Sequence, residues 1–217
     1  KKAAAYAETR ELDPYKVEFG YNGGSWPHLK HCLIFPLRDQ EDKIVSFYGR
    51  SIYDNKDQRH YYSKGRSGLY PHYPKSDTKI LVLAESIIDA ASLLQHTDMT
   101  EIDSRAVLAM YGTNGLVVDH TDVVSKLEAL REIILFFDGD LAGKEAIDKW
   151  GKVLHELGPD IKISRVNTPE GEDINSLVQN HPDTAGDLLK ELISSRSVFS
   201  FAISEICKNT FADCKPT

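Results

Sequence analysis

Hydrophobic and polar positions change texture once along this chain. Before residue 79 the apolar residues gather in two short runs, HCLIFPL (31–37) and KIVSFYGRSI (43–52). Both are rich in β-branched and aromatic residues and are split by the polar RDQED, the pattern of an antiparallel hairpin with a solvated turn. AAAYAETREL ahead of them has helix-forming composition, and Asp13-Pro14 stops it. GYNGGSWPH reads as a loop, YDNKDQRHYYSKG as a continuation of the small sheet, and YPHYPKSDT (70–78), with two prolines, as a linker.

From Lys79 onward short continuous apolar runs alternate with longer amphipathic ones. KILVLA (79–84), AVLAMY (106–111), EIILFF (132–137) and IKISRV (161–166) predict strands. Between them, SIIDAASLLQH (86–96) puts Ile87, Ala90, Ala91 and Leu94 at the 3.6-residue period of a helix. DHTDVVSKLEAL and AGKEAIDKWGKVLHEL predict two more helices. Strands that are apolar on both faces are expected where helices cover a parallel sheet from both sides. The predicted fold class is therefore α/β: a mostly parallel sheet flanked by helices, preceded by a small α+β subdomain with an antiparallel hairpin. The expected divisions are 1–76, 77–182 and 183–217, the last holding two helices that pack on the core or lead to a following domain.

Composition narrows the class. With 217 residues, 41% hydrophobic and 27% charged, disorder and fibrous repeats are excluded. No apolar run approaches the ~18 residues of a membrane helix, and KKAAAYAETRELD lacks the apolar core of a secretion signal, so no membrane partner and a cytoplasmic location are expected. Cys32, Cys207 and Cys214 form no CxxC pair, which argues for incidental thiols and against a zinc site.

The net charge of −7 conceals a division, with residues 1–79 at +4 and residues 80–217 at −11. Between 56 and 75 five basic residues face one acid, with Tyr61, Tyr62, Tyr70 and Tyr73 interleaved. Basic residues mixed with aromatics suit single-stranded nucleic acid. The same composition also fits a solvated hairpin whose tyrosines pack on the core.

Candidate chemistry follows the strands. Glu85 ends KILVLA, Asp138 and Asp140 follow EIILFF, and Asp173 lies in PEGED after IKISRV. Working residues of such sheets gather beyond the carboxyl ends of the strands. Four carboxylates on one rim repel unless cations sit among them, and oxygen-rich sites suit Mg²⁺ or Mn²⁺. Two such ions activate an attacking hydroxyl and steady a pyrophosphate leaving group, which is phosphoryl-transfer chemistry. Asp140 and Asp173 also stand where helix N-caps would, a purely structural role.

Glu85 with SIIDAASL, then YGTNGL, FFDGDLAGKEA and TPEGED, resembles the TOPRIM domain of bacterial DnaG-type primases, topoisomerases and some nucleases. FGYNGGSW, LIFPLRDQEDKIVSFYGRSI and RHYYSKGRSGLYPHY resemble primase segments upstream, so the similarity spans roughly residues 15 to 180. The resemblance implies that Glu85, Asp138, Asp140 and Asp173 form the metal site, with Glu85 also a general base. Asp89, Gly112 and Thr113 would support it, and Arg50, Arg59, Lys64 and Arg66 would contact template and nucleotide. It further implies two or more Mg²⁺ or Mn²⁺ ions, a single-stranded DNA template, nucleoside triphosphates, an RNA primer, a nucleoid-associated location, and a helicase reached through domains outside this chain.

The chain departs from the primase pattern at Ser86 for glycine, Glu172 for lysine and Asn175 for a further acid. Glu172 is expected to reverse a charge near the cations. The reading that follows is a metal-dependent primase core, with a TOPRIM nuclease and a non-catalytic DNA-binding module as alternatives.

Overall fold

The computed structural model describes residues 1–53, 58–97, 104–112 and 115–199. The first helix, α1 (Lys2–Thr9), precedes four antiparallel strands: β1 (Gly20–Asn22), β2 (Cys32–Arg38), β3 (Ile44–Ser51) and β4 (His60–Tyr62). They lie in the order β1-β2-β3-β4, with Phe35 opposite Tyr48 and Tyr48 opposite Tyr62. Side chains alternate across a strand, so Leu33, Phe35, Leu37 and Tyr48 all reach one buried face.

The second sheet contains β5 (Ile80–Ala84), β6 (Arg105–Ala109), β7 (Glu132–Phe136), β8 (Lys162–Arg165) and β9 (Ser197–Val198), in the order β6-β5-β7-β8-β9. All neighbours are parallel except β8 and β9. The connecting helices are α2 (Ile87–His96), α3 (Val118–Lys126), α4 (Leu141–Leu157), α5 (Ile174–Asn180) and α6 (Ala185–Ser194).

Successive residues of each parallel strand feed two cores. Val82, Ala84, Ile134 and Phe136 pack beneath α2, α5 and α6, while Leu81, Leu83, Ile133 and Leu135 pack beneath α3 and α4. This is why those runs carry no polar alternation. The inward face of the antiparallel sheet joins the first of these cores, so residues from both sheets share one continuous apolar cluster. Among the described residues no helix is long and apolar enough to cross a membrane.

The proline-bearing stretch 70–78 runs between the two sheets and is anchored at its start: Tyr70 is 2% exposed and its ring meets Phe35 edge-on at 5.7 Å. Prolines end strand pairing there but leave the tyrosine free to fill the core. Beyond α6 the chain does not go straight into a second helix; Ser197 and Val198 pair with Arg165 and Ser164 as an edge strand. The remainder of the expected second helix, with Cys207 and Cys214, lies outside the described residues.

Candidate active site

Parallel register brings the acids together. Ala84 of β5 sits opposite Phe136 of β7, so Glu85 and Asp138 emerge side by side beyond the same end of the sheet. The Glu85 carboxylate, 8% exposed, accepts the Asp138 backbone N–H at 3.2 Å. The loop after β8 returns over this end, where the Thr168 hydroxyl donates to the Phe137 carbonyl at 2.5 Å. Gly139 N–H donates to the Glu172 carbonyl at 2.8 Å.

That close packing explains the glycines of FFDGDLAG. A Cβ at Gly139 would fall 1.9 Å from the Pro169 carbonyl oxygen, and one at Gly143 would fall 2.1 Å from that of Asp138. Glycine is needed here because backbones touch; neither residue has a positive φ.

Asp140 and Asp173 do cap helices, as their positions allow. Asp140 accepts from Gly143 N–H at 2.7 Å at the start of α4, and Asp173 accepts from Ser176 N–H at 2.5 Å at the start of α5. Each cap occupies one carboxylate oxygen, leaving the second available. Burial, followed by the charges of Asp89, Glu85, Asp173 and Asp140, pushes the Asp138 carboxyl up to about 8. Glu85 is raised by burial, with Asp140 and Asp173 adding to it. Asp138 is therefore surrounded by like charge, which protonation or a cation must relieve.

Asp89 is 5% exposed and held from two sides: Ser86 Oγ donates at 2.5 Å and Asn175 N–H at 3.1 Å. Burial and the Asp173 charge raise its pKa. Asn175, where a further acid was expected, is 1% exposed; its Nδ2 donates to the Arg10 carbonyl at 2.8 Å and to Ser92 Oγ at 2.9 Å. Its Oδ1 accepts from Arg10 Nη1 at 3.1 Å. Glu172 points toward α5, accepting from Ser176 Oγ at 2.5 Å and Asn180 Nδ2 at 3.2 Å. The same Ser176 donates its backbone N–H to Asp173, so the Glu172 carboxylate shares a hydrogen-bond partner with that acid.

Across from the acids stands a basic and aromatic wall. Glu85, Asp89, Asp138 and Asp173 share one cleft of about 610 Å³ with Arg10, Arg50, Arg59 and Arg66. Arg66 lies 4.8 Å from the ring centres of both Tyr62 and Tyr111, a guanidinium in cation–π contact with two rings. Among the described residues, no carboxylate forms an ion pair with Arg10, Arg50 or Arg66. Gly112 lines the cleft and its N–H donates to the Glu85 carbonyl at 3.0 Å; Thr113 lies outside the described residues. Asp140 stands at the margin, close enough to raise Glu85 and Asp138, while Lys64 is exposed and does not line the cleft.

Arg10 and His60 were not recognised from sequence. Arg10 belongs to a segment that reads only as helix former, and the one signal was its placement four residues after Tyr6, on the same helix face. His60 lies in the primase-like segment RHYYSKGRSGLYPHY, but nothing in that segment marked it for a role.

The donor set, hard carboxylate oxygens close enough together to raise Glu85 and Asp138, has the chemistry of a Mg²⁺ or Mn²⁺ site. Among the described residues no three or more such ligands are gathered around a single point, and Glu85, Asp140 and Asp173 each give one oxygen to a backbone N–H. Mg²⁺ keeps several waters and takes one or two carboxylates, so such a cage is not required.

Residues 82–178 match a family described as Toprim-like. The chain is 27% identical over 204 residues to the DNA primase of Salmonella typhimurium, covering 88% of this chain and 33% of that protein. It therefore spans about a third of that relative's length. A DNA primase domain from Pseudomonas aeruginosa superposes with a TM-score of 0.71 at 21% identity, covering 98% of this chain and 76% of that one. The DnaG primase catalytic domain bound to single-stranded DNA gives 0.65 at 18% identity, covering 97% and 75%.

Proposed function

We propose that this chain, with a Toprim-like domain at 82–178 inside the fold of a DnaG-type primase core, is the catalytic core of a DNA primase. The observation that carries this reading is the cleft itself: carboxylates from β5, β7 and the β8–α5 loop face arginines from α1, β3 and the segments flanking β4. A nucleic-acid polymerase needs both, because it holds an anionic triphosphate beside cations while a hydroxyl attacks phosphorus.

Asp138, Asp140 and Asp173 hold Mg²⁺ or Mn²⁺, which supplies Lewis-acid stabilisation of charge developing on the phosphoryl oxygens. Glu85, raised by burial, accepts the proton of the attacking 3′-hydroxyl. Asp89 fixes Ser86 and the start of α5 so that Glu85 and Asp173 keep their spacing. Arg50, Arg59 and Arg66 hold the triphosphate against repulsion from the acids, and Arg66 with Tyr62 and Tyr111 offers a platform for a base. Lys64, exposed outside the cleft, meets the template backbone.

The test is incorporation of labelled ribonucleotides on single-stranded DNA with Mg²⁺ or Mn²⁺. Short products that vanish in Asp138→Asn and Asp140→Asn support the reading. Metal-dependent shortening of the template, lost in the same variants, would replace it with a nuclease. Strand binding indifferent to both substitutions, with no product, would leave a binding module.

A further inference from the structure

Arg50 is held in an unusual way for a surface-reaching guanidinium. Its Nε donates to the Tyr6 hydroxyl at 3.1 Å and its Nη1 lies 2.9 Å from His60 Nε2. Neither partner is an acid. A guanidinium only donates, so His60 Nε2 must accept. A neutral imidazole has one N–H, which then sits on Nδ1 and donates to the Tyr48 hydroxyl at 2.8 Å. His60 is thereby oriented from both ends, between a tyrosine buried in the core and the arginine it steadies.

The charge environment agrees. Partial burial, then the guanidiniums of Arg50, Arg59 and Arg10, lower the His60 pKa to about 4. Both the hydrogen-bond geometry and the neighbouring guanidiniums therefore favour the neutral imidazole with its lone pair on Nε2. Pairing Arg50 with a carboxylate would also fix it, but would cancel its charge; Tyr6 and His60 fix it and leave the charge whole. Arg50 shares the cleft with Glu85, Asp138 and Asp173, and among the described residues no carboxylate forms an ion pair with it, so its charge is open to a bound anion.

We propose that His60 is a positioning residue for nucleotide binding: through its Nε2 it holds Arg50 in the cleft as an oriented, uncancelled cation that grips the triphosphate of the incoming nucleotide. This rests on the primase reading for the identity of the ligand and goes beyond it in assigning His60. Fixing the guanidinium beforehand removes the side-chain ordering that binding would otherwise require. Tyr6 shares the task, which brings α1 into the site.

The experiment has two arms on the same variants. The first is calorimetric binding of inorganic tripolyphosphate by the 217-residue chain, which needs no synthesis. Arg50→Ala and His60→Ala are each expected to weaken binding by 10-fold or more. His60→Gln, whose amide oxygen can accept from Arg50, is expected to stay within about 3-fold of the parent. Tyr6→Phe, which removes one hydroxyl and disturbs folding least, is expected to lose about 3-fold. The second arm is nucleotide incorporation, where His60→Ala is expected to raise KM for nucleotide by a similar factor with kcat within 2-fold.

Binding by His60→Ala equal to the parent overturns the proposal. So does a loss that His60→Gln fails to rescue while Tyr6→Phe binds normally, because that pattern belongs to a structural role. A fall in kcat with KM unchanged overturns it as well. The two readings fail separately: tripolyphosphate binding that depends on His60 without any synthesis removes the primase reading alone. Synthesis that depends on Asp138 but is indifferent to His60 removes this one alone.

Discussion

The backbone N–H of Asp138 donates to the Glu85 carboxylate across 3.2 Å, joining the ends of two neighbouring parallel strands. One side chain thus serves two purposes. Its charge takes part in the acidic site, and its acceptor oxygen holds the Asp-Gly-Asp turn in place.

Substitution should separate the two. Glu85→Gln retains an acceptor for the Asp138 N–H and removes the charge, so its melting temperature is expected close to the parent's. Glu85→Ala leaves that N–H without its partner and is expected to lose about 1–3 kcal/mol of stability. Metal-dependent synthesis should fall by about 100-fold or more in both, since a positioned acid or base contributes that much. Denaturant titration beside the incorporation assay checks the pair, and activity retained in Glu85→Gln would remove the charge from the mechanism.

Asp138 gives a pH dependence with a definite sign. Its carboxyl is raised to about 8, against an unfolded value of about 3.9. The folded state therefore binds the proton more tightly, and the contribution is fully present below about pH 4 and lost as pH rises through 8. Calorimetry in EDTA should show the melting temperature declining from pH 5 to pH 8, a decline that flattens in Asp138→Asn. Added Mg²⁺ should offset the decline in the parent and have much less effect in the variant.

Gly139→Ala tests the close approach of two loops. Its Cβ would fall 1.9 Å from the Pro169 carbonyl oxygen, backbone that cannot swing aside as a side chain would. The loop after β8 has to move, at a cost of about 1–3 kcal/mol. Because Asp138 and Asp173 lie on the two loops concerned, synthesis should fall by more than 10-fold even with saturating metal. A variant that is both stable and active would show that the loops tolerate separation.

Restoring an acid at position 175 is expected to harm this chain. Asn175 Nδ2 donates to the Arg10 carbonyl and to Ser92 Oγ, and Asn175→Asp has no donor for either. It also introduces a buried carboxylate near Asp89, which already accepts the residue's own N–H. A loss of about 1–3 kcal/mol is expected in denaturant titration, with no gain in Mg²⁺ response. Improved metal-dependent activity would show that the asparagine is a lost ligand and not a tie to α1.

Much of this protein is determined by local pattern. Runs such as KILVLA and EIILFF need no partner to be read as doubly covered strands, because Leu81 and Val82 must each find an apolar layer on opposite faces. Strand ends then bring acids to one rim, since parallel strands all finish on the same side. Strand-end spacing predicts Glu85, Asp138, Asp140 and Asp173 on that rim; Glu85, Asp138 and Asp173 line one cleft, and Asp140 stands at its margin.

Of the arginines that share the cleft with those acids, Arg50, Arg59 and Arg66 were expected from the sequence, while tertiary structure alone added Arg10. Arg10 and Asp173 are far apart in sequence and share a cleft only because the antiparallel sheet and α1 pack on the same apolar layer as α2 and α5. The roles of the departures were equally hidden. Asn175 reads as a missing acid until Arg10 is seen hydrogen-bonded to it, and the ties of Glu172 to Ser176 and Asn180 are visible only in the fold. The role of His60 was hidden within a recognised segment, because an imidazole gains its character from the groups at its two nitrogens. Tyr48 and Arg50 reach those nitrogens through the pairing of β3 with β4, which no spacing along the chain encodes.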